Sequence, residues 1–547
     1  VVVGGGIGGL LSAALLARGG AQVTLLERHD RVGGRAGRLE LDGFTFDTGP
    51  SWYFMPEVVE HAFALLGRRV ADHLDLVELD PVYRLFSEPG ADGPAAPFEL
   101  VRDPVARAAA FEAVEPGAAA AIEGYRRQAQ EAYRLALDHV LYTTFEDPTR
   151  LASAQLAARA GTLGGLLTHT LAEHVARTVQ DPMLRQALGY HAVFLGSSPY
   201  RVPALYSLMS HLDLGQGVLY PRGGLYTLVE ALEQIAREEG VTVRTGADVT
   251  GIEVRPTTRS RRHPRRRGQA TGVRLASGEL VEADLVLADT DRHHTETELL
   301  APAYADLPEE SWEHRGPGIS ALLVMAGVRG PLPELAHHSL FFSRDWPANF
   351  EAILGAGRST PPDGLRVPEV ASLYVSRPSA TDPFLAPDGH ETLFVLVPFP
   401  ADPDLGLERA EVEAHADRYL DQIGSWAGID DLRGRVVTRR VVAPADFARD
   451  MSAWRGTALG LEHTLRQSAM FRPGGASAKV PNLLHVGAGA TPGVGIPMVI
   501  ISAELAVKRL LGERSAHPLP APLRPGFLGS ALPRGLWDEV ARDGDGR

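Results

Sequence analysis

Val1-Val2-Val3-Gly4-Gly5-Gly6-Ile7-Gly8-Gly9-Leu10-Leu11 opens the chain, and its reading decides the fold. Three β-branched residues in a row read as a buried parallel strand. Gly4, Gly6 and Gly9 satisfy G-x-G-x-x-G, with Gly8 filling the turn, and Leu10, Leu11, Ala14, Leu15 and Ala17 give the next segment an apolar helical face. A second strand, Gln22-Val23-Thr24-Leu25-Leu26, ends in Glu27, roughly 20 residues past the motif. Gly4 permits the tight turn, Gly6 lets backbone N–H groups approach a pyrophosphate, and Gly9 lets helix and strand pack closely. The helix N-terminus adds partial positive charge, and Glu27 is placed to accept hydrogen bonds from an adenosine ribose. An incidental glycine turn would not carry this order of strand, turn, helix, strand and acid.

Downstream lie Arg28 and then Arg31-Val32-Gly33-Gly34-Arg35. This second glycine pair resembles the extended fingerprint of two-domain flavoproteins, in which the pair and its arginine lie against the FAD diphosphate. The implied cofactor is FAD.

At 547 residues the chain exceeds one hydrophobic core, so two or three domains are expected. The net charge of −14 argues against nucleic acid as a partner. With no cysteine, disulfides, thiolate metal sites, cysteine nucleophiles and a cysteinyl-linked flavin are excluded. No run of 18 apolar residues is present, which argues against a transmembrane helix. The first residue is not Met and already reads as strand, so targeting is not judged from this end.

Leu39 to Phe46 alternates like a hairpin with Asp42-Gly43 at its turn, and it delivers Asp47-Thr48-Gly49-Pro50-Ser51-Trp52-Tyr53. That loop reads either as one passing near a flavin ring or as a turn with a core Trp. From Val58 to about Arg185 the pattern is mainly helical. Between Gln186 and Leu219 the only charged residues are Arg201 and Asp213. Three readings stand for this segment: buried core, a wall for a large apolar ligand, or a surface dipping into lipid. Tyr220-Pro221-Arg222-Gly223-Gly224 opens a helix to about Glu239, its glycines allowing close backbone approach to a ligand. Strands at 241–254 and 271–288 flank the basic stretch 259–267, a solvated hairpin tip or a contact for anionic headgroups. Stretches 321–328, 339–342, 372–375, 392–397 and 435–442 suggest an antiparallel sheet. Pro481 to Gly487 reads as a final parallel strand entering Ala488–Pro497, and then a helix from Met498 to Leu511 whose N-terminus suits negative charge on a reduced flavin.

Together these segments resemble the bacterial-type phytoene desaturases, a family of FAD-dependent carotenoid desaturases. The matching stretches are Val3–Arg35, Phe44–Pro50, Tyr220–Gly224, Pro378–Gly389, Gln467–Pro473 and Asn482–Pro497. Ala288-Asp289-Thr290-Asp291 departs from the family, which has Asn before Ala-Asp, and no role is assigned to that turn. The resemblance implies an α/β amine oxidase-like flavoprotein: a Rossmann-type FAD-binding domain, a β-rich substrate domain and a helical membrane-facing insertion. The expected boundaries are a discontinuous FAD domain over 1–85, 220–300 and 470–512, the helical region over 86–219, the β-rich domain over 301–469 and a flexible tail over 513–547. Implied FAD contacts are Gly4, Gly6, Gly8, Gly9, Glu27, Arg28, Gly34, Arg35, Gly49, Pro50, Val249, Gly487, Gly495, Ile496 and Pro497.

The implied reaction is desaturation of phytoene toward lycopene, a hydride leaving an allylic carbon for the flavin and a proton leaving its neighbour. The resemblance further implies a cytoplasmic protein peripheral to a lipid membrane, with a quinone or oxygen as electron acceptor. It also places an acid–base pair at Asp147 and Arg150, which read equally as a helix-capping Asp and a surface Arg. Alternatives of the same fold are a carotenoid 3,4-desaturase or shorter-chain homologue, a soluble amine oxidase, and a prenyl-lipid carrier without redox chemistry.

Overall fold

The computed structural model describes residues 1–91, 93–146, 160–257, 264–355 and 364–529. Asp147 and Arg150 lie outside them, as do residues 259–263 of the basic stretch and residues 530–547 of the tail.

Five short parallel strands form the sheet on which the glycine motifs sit. In spatial order they are Leu483–His485, Val286–Ala288, Val2–Val3, Thr24–Leu26 and Thr242–Arg244. The chain order along the sheet reverses beside Val2–Val3, which creates a crevice at the carboxyl ends of the strands. Helix Ile7–Arg18 packs between helices Tyr226–Glu238 and Ile496–Leu511. The sequence suggests one apolar face for this first helix, yet residues 7–16 are all buried because neighbours cover both sides. Leu10, Leu11, Leu15 and Leu16 are each at most 4% exposed, and burying such a side chain contributes about 1.5–3 kcal/mol.

A seven-stranded sheet forms the second layer, in the order 436–442, 320–329, 390–399, 373–376, 338–342, 83–87 and 98–100. The five stretches expected as strands are all in it. All its pairs are antiparallel except that of His338–Phe342 with Tyr83–Ser87. The expected boundary at residue 85 therefore cuts a strand, and the region 86–219 supplies strand Phe98–Leu100 as well as helices. The Leu39–Phe46 hairpin is present, with Asp42 and Gly43 at positive φ of 50° and 86°.

Part of the expected flexible tail is packed. Leu523 N–H donates to Leu65 O, Arg18 Nε donates to Leu523 O, and Leu528 is 1% exposed. Its leucines fill the gap beside the end of the first helix, a tertiary docking that a Pro-rich composition does not reveal. Among the described residues no helix is long and apolar enough to cross a membrane.

Candidate active site

The four loops leaving strands at 3, 26, 288 and 485 converge on one cavity of about 560 Å³. At its polar end Gly4 takes φ +100°, and a side chain there would meet the Asp289 carbonyl at 2.7 Å. A Cβ on Gly9 would lie 2.1 Å from Gly4 O, so helix and strand approach as closely as the motif requires. The second glycine pair backs onto the first: Gly33 N–H donates to Gly5 O at 2.8 Å, and Gly34 lies against Gly6. Glu27 is 6% exposed and accepts from the N–H groups of Gly5 and His29 at 2.8 and 2.9 Å. Arg28 reaches across to Ser452 Oγ at 3.0 Å and the Asp450 carbonyl, closing one wall.

Of the residues expected at the cofactor, Gly4, Gly6, Glu27, Arg28, Gly34, Arg35, Gly49, Pro50, Val249, Gly487, Gly495, Ile496 and Pro497 line this cavity. Gly8 and Gly9 lie behind its wall, where Gly8 packs on Gly487 and Val499. Arg35 Nε and Nη2 are buried without a hydrogen-bond partner, and Nη2 lies 3.5 Å from Asp291 Oδ2. An unsatisfied guanidinium between two glycine turns fits a bound diphosphate. Gly495, with φ +108° and open space around it, starts the helix Ile496–Leu511 at the cavity wall. Its free N–H groups suit an anion.

One residue that the sequence left without a role sits in the centre of the cradle. Asp289 follows strand Val286–Ala288 and accepts from Gly9 N–H at 2.7 Å through Oδ2. A Cβ built on Gly6 or Gly487 would come within 2.6 and 2.2 Å of its carboxylate oxygens. Burial, reinforced by the Glu27 charge, pushes its carboxyl up to about 7, against the opposing pull of Gly9 N–H and Arg35. The available signal was its place at the carboxyl end of a parallel strand beside the switch point.

Asp47 corrects a second expectation. Gly224 approaches this side chain, which lies 2.8 Å from where a Cβ on the glycine would stand. A Cβ on Gly223 would meet Thr227, and Gly223 donates its N–H to Asp382 Oδ2 at 2.7 Å. Asp47 accepts from Leu225 and Tyr226 N–H at 2.7 and 3.0 Å, fixing the start of the helix. Burial pushes its carboxyl up to about 6, opposed by those N–H groups.

The other end of the cavity is apolar and aromatic. Trp52 stacks on His338 with ring centroids 4.1 Å apart and lies 5.4–6.2 Å from Phe54, Tyr190, Phe194 and Tyr374. Tyr190, Phe194, Leu195, Tyr206, Leu208 and Met209 line the cavity, so the Gln186–Leu219 segment supplies its wall. Phe194 packs on Trp52 and Tyr190. Leu195 is 7% exposed, which takes it out of any surface that could dip into lipid. The lining of this chamber is suited to a long apolar molecule.

A diphosphate cradle opening directly onto an apolar chamber defines a flavoprotein oxidoreductase. The family profile described as "Flavin containing amine oxidoreductase" matches residues 7–511, and the chain belongs to that family. Its cofactor is FAD. Within the family the sequence falls among the carotenoid desaturases. It is 38% identical over 514 residues to "Carotenoid 3,4-desaturase" of Haloarcula japonica, covering 94% of this chain and 98% of the relative. It is 36% identical over 515 residues to "zeta-carotene-forming phytoene desaturase" of Myxococcus xanthus, covering 93% of each. Among solved structures, putrescine oxidase bound to putrescine superposes with a TM-score of 0.58 at 16% identity, over 99% of this chain and 98% of that one, a likeness of fold.

Proposed function

We propose that the protein desaturates phytoene toward lycopene at a membrane surface. The observation that carries this reading is the aromatic, apolar chamber around Trp52 continuous with the FAD cradle. Bound FAD supplies hydride acceptance; the chain supplies the rest. The chamber wall orients the polyene and excludes water, Arg35 and the helix starting at Ile496 hold negative charge, and Trp52 and its neighbouring rings face the positive charge left by hydride loss. A quinone or oxygen then takes the electrons.

The substrate's own chemistry supports a membrane location. Moving a hydrocarbon of this size through water would cost tens of kcal/mol at about 0.8 kcal/mol per CH₂. Leu465, Met470 and Phe471 are 45, 47 and 59% exposed on one loop, which is tied to the chamber wall where Tyr206 Oη donates to Ser468 Oγ at 2.9 Å. This loop replaces Phe194 and Leu195 as the proposed lipid contact.

A second reading, 3,4-desaturation of an already conjugated carotenoid, is favoured by the likeness to the Haloarcula relative. Chromatography of products from the FAD-loaded protein, given phytoene or lycopene in liposomes, separates the two. Conversion of phytoene to more conjugated products supports the first reading; conversion of lycopene alone supports the second. Turnover of neither refutes both.

A further inference from the structure

The proton that leaves the polyene needs an acceptor inside the chamber. Tyr190 lines the cavity, is 3% exposed, and is one of the rings around Trp52. Its Oη donates to Asp213 Oδ2 at 3.1 Å. Asp213 is 1% exposed, accepts from Leu214 N–H at 2.8 Å through Oδ1, and lies 3.2 Å from Nε2 of the equally buried His191. It is carried on Leu212–Gln216, a π-type turn of a kind that recurs at functional sites. A buried carboxylate is costly, and nothing in the cofactor cradle uses this one.

We propose that Tyr190 is the proton acceptor of the desaturation and that Asp213 positions it and takes up its proton. The proposal rests on the polyene reading above. As hydride departs with its electron pair to the flavin, the adjacent C–H bond breaks and its pair becomes the new C=C bond. The released proton goes to Tyr190 Oη, and the phenolic proton moves to Asp213 Oδ2. A polyene cation and a carboxylate become a neutral polyene and a neutral acid. Opposite charges are thereby discharged in a medium where they are not screened by water. Tyr133, Tyr206 and Tyr374 also line the cavity. Tyr133 donates to Glu57, which is less buried than Asp213, and Tyr206 Oη donates to the Ser468 hydroxyl at 2.9 Å. Tyr374 Oη lies 2.7 Å from Nδ1 of buried His338. Its partner would be left as a buried imidazolium, which desolvation by burial opposes. The same desolvation, with the Asp213 charge, holds the Tyr190 phenol well above its usual range, so that it waits protonated.

The groups facing Asp213 are His191, His211 and Arg107 and the phenols Tyr83, Tyr125 and Tyr190. The test is anaerobic flavin bleaching by liposomal polyene with wild type, Tyr190→Phe, Asp213→Asn, Asp213→Glu and Tyr374→Phe. FAD content, melting temperature and quenching of Trp fluorescence by the polyene are read beside it. We expect full FAD and normal quenching, with bleaching slowed about 10-fold or more in Tyr190→Phe and about 100-fold in Asp213→Asn. Asp213→Glu restores part of the rate. The D₂O effect on bleaching disappears in Tyr190→Phe. Bleaching within about threefold of wild type in both Tyr190→Phe and Asp213→Asn overturns the proposal. So does a loss confined to Tyr374→Phe. Should Asp213→Asn fail to fold, Tyr190→Phe, which keeps the ring, decides alone. A wild type inert toward every polyene instead overturns the substrate reading.

Discussion

Replacing Asp289 by Asn tests whether a carboxyl group in the glycine cradle governs cofactor affinity. The side chain touches Gly9 N–H and lies against Gly6 and Gly487, so a diphosphate bound to the same turns must share that space with it. Glu27, Arg35 and, through Arg35, Asp291 are the charged groups that face it. With the folded-state value raised from 3.8 to about 7, Asp289 is largely neutral below pH 7 and charged above it. The unfolded chain ionises first, so the apoprotein loses stability as pH rises from about 4 to about 7 and gains none back beyond. One pH unit is worth about 1.4 kcal/mol, so over that window the loss is at most about 4 kcal/mol. Toward FAD the sign is the same. Toward a bound phosphate, neutral Asp289 would donate a hydrogen bond, and ionised it would repel the negative charge. At about 5 Å and an effective dielectric near 20, that repulsion is about 3 kcal/mol, or roughly 100-fold in Kd. Reconstitution of apoprotein with FAD, followed by flavin fluorescence between pH 6 and 9, should show Kd rising above pH 7 by up to tenfold per unit. Asp289→Asn should bind tightly throughout, because the amide keeps a hydrogen-bonding oxygen and carries no charge. A wild-type Kd constant across that range, or an unchanged slope in Asp289→Asn, would refute the reasoning.

Three further outcomes follow from the same geometry. Gly6→Val places a branched side chain where a Cβ already meets Asp289 at 2.6 Å, so the purified variant should lose flavin absorbance; stoichiometric FAD would remove the cradle assignment. Lys508, fully buried, donates to the carbonyls of Tyr142, Ser515 and His517 at 2.6–2.8 Å; Lys508→Met leaves three acceptors unpaired and should lower stability by about 3 kcal/mol or more in denaturant titration. Changing Leu465, Met470 and Phe471 to Ser should weaken liposome flotation while FAD content stays normal, and unchanged flotation would remove this loop from the membrane proposal.

How much of this was legible in the sequence depends on how far apart the cooperating residues lie. That Gly4, Gly6, Glu27, Gly34 and Arg35 gather at one cavity was readable because they fall within the first βαβ unit and the loop just after it, where local spacing already fixes relative position. The strands of the second sheet were readable as short β-type runs between proline-rich connectors, without alternation, since 320–328 and 338–342 are buried on both faces. That one of them pairs in parallel with Tyr83–Ser87 was not, since a strand's pattern does not name its neighbour. Asp289 was passed over because it stands 280 residues from Gly9 and meets it only where the strand order reverses. Gly223 and Gly224 were given a ligand because glycines promise close approach without saying what approaches; Asp47, bonded to Leu225 N–H 178 residues away, stands beside Gly224, and Asp382 accepts from Gly223 N–H. Asp213 was noticed as one of only two charges in an apolar stretch, and the same stretch was credited with a wall. What composition could not supply is the inward turn that sets this carboxylate behind Tyr190. An isolated charge in a segment that otherwise buries itself must be held by donors. Leu214 N–H and Tyr190 Oη are those donors here, with His191 Nε2 3.2 Å away, and Tyr190 opens onto the chamber.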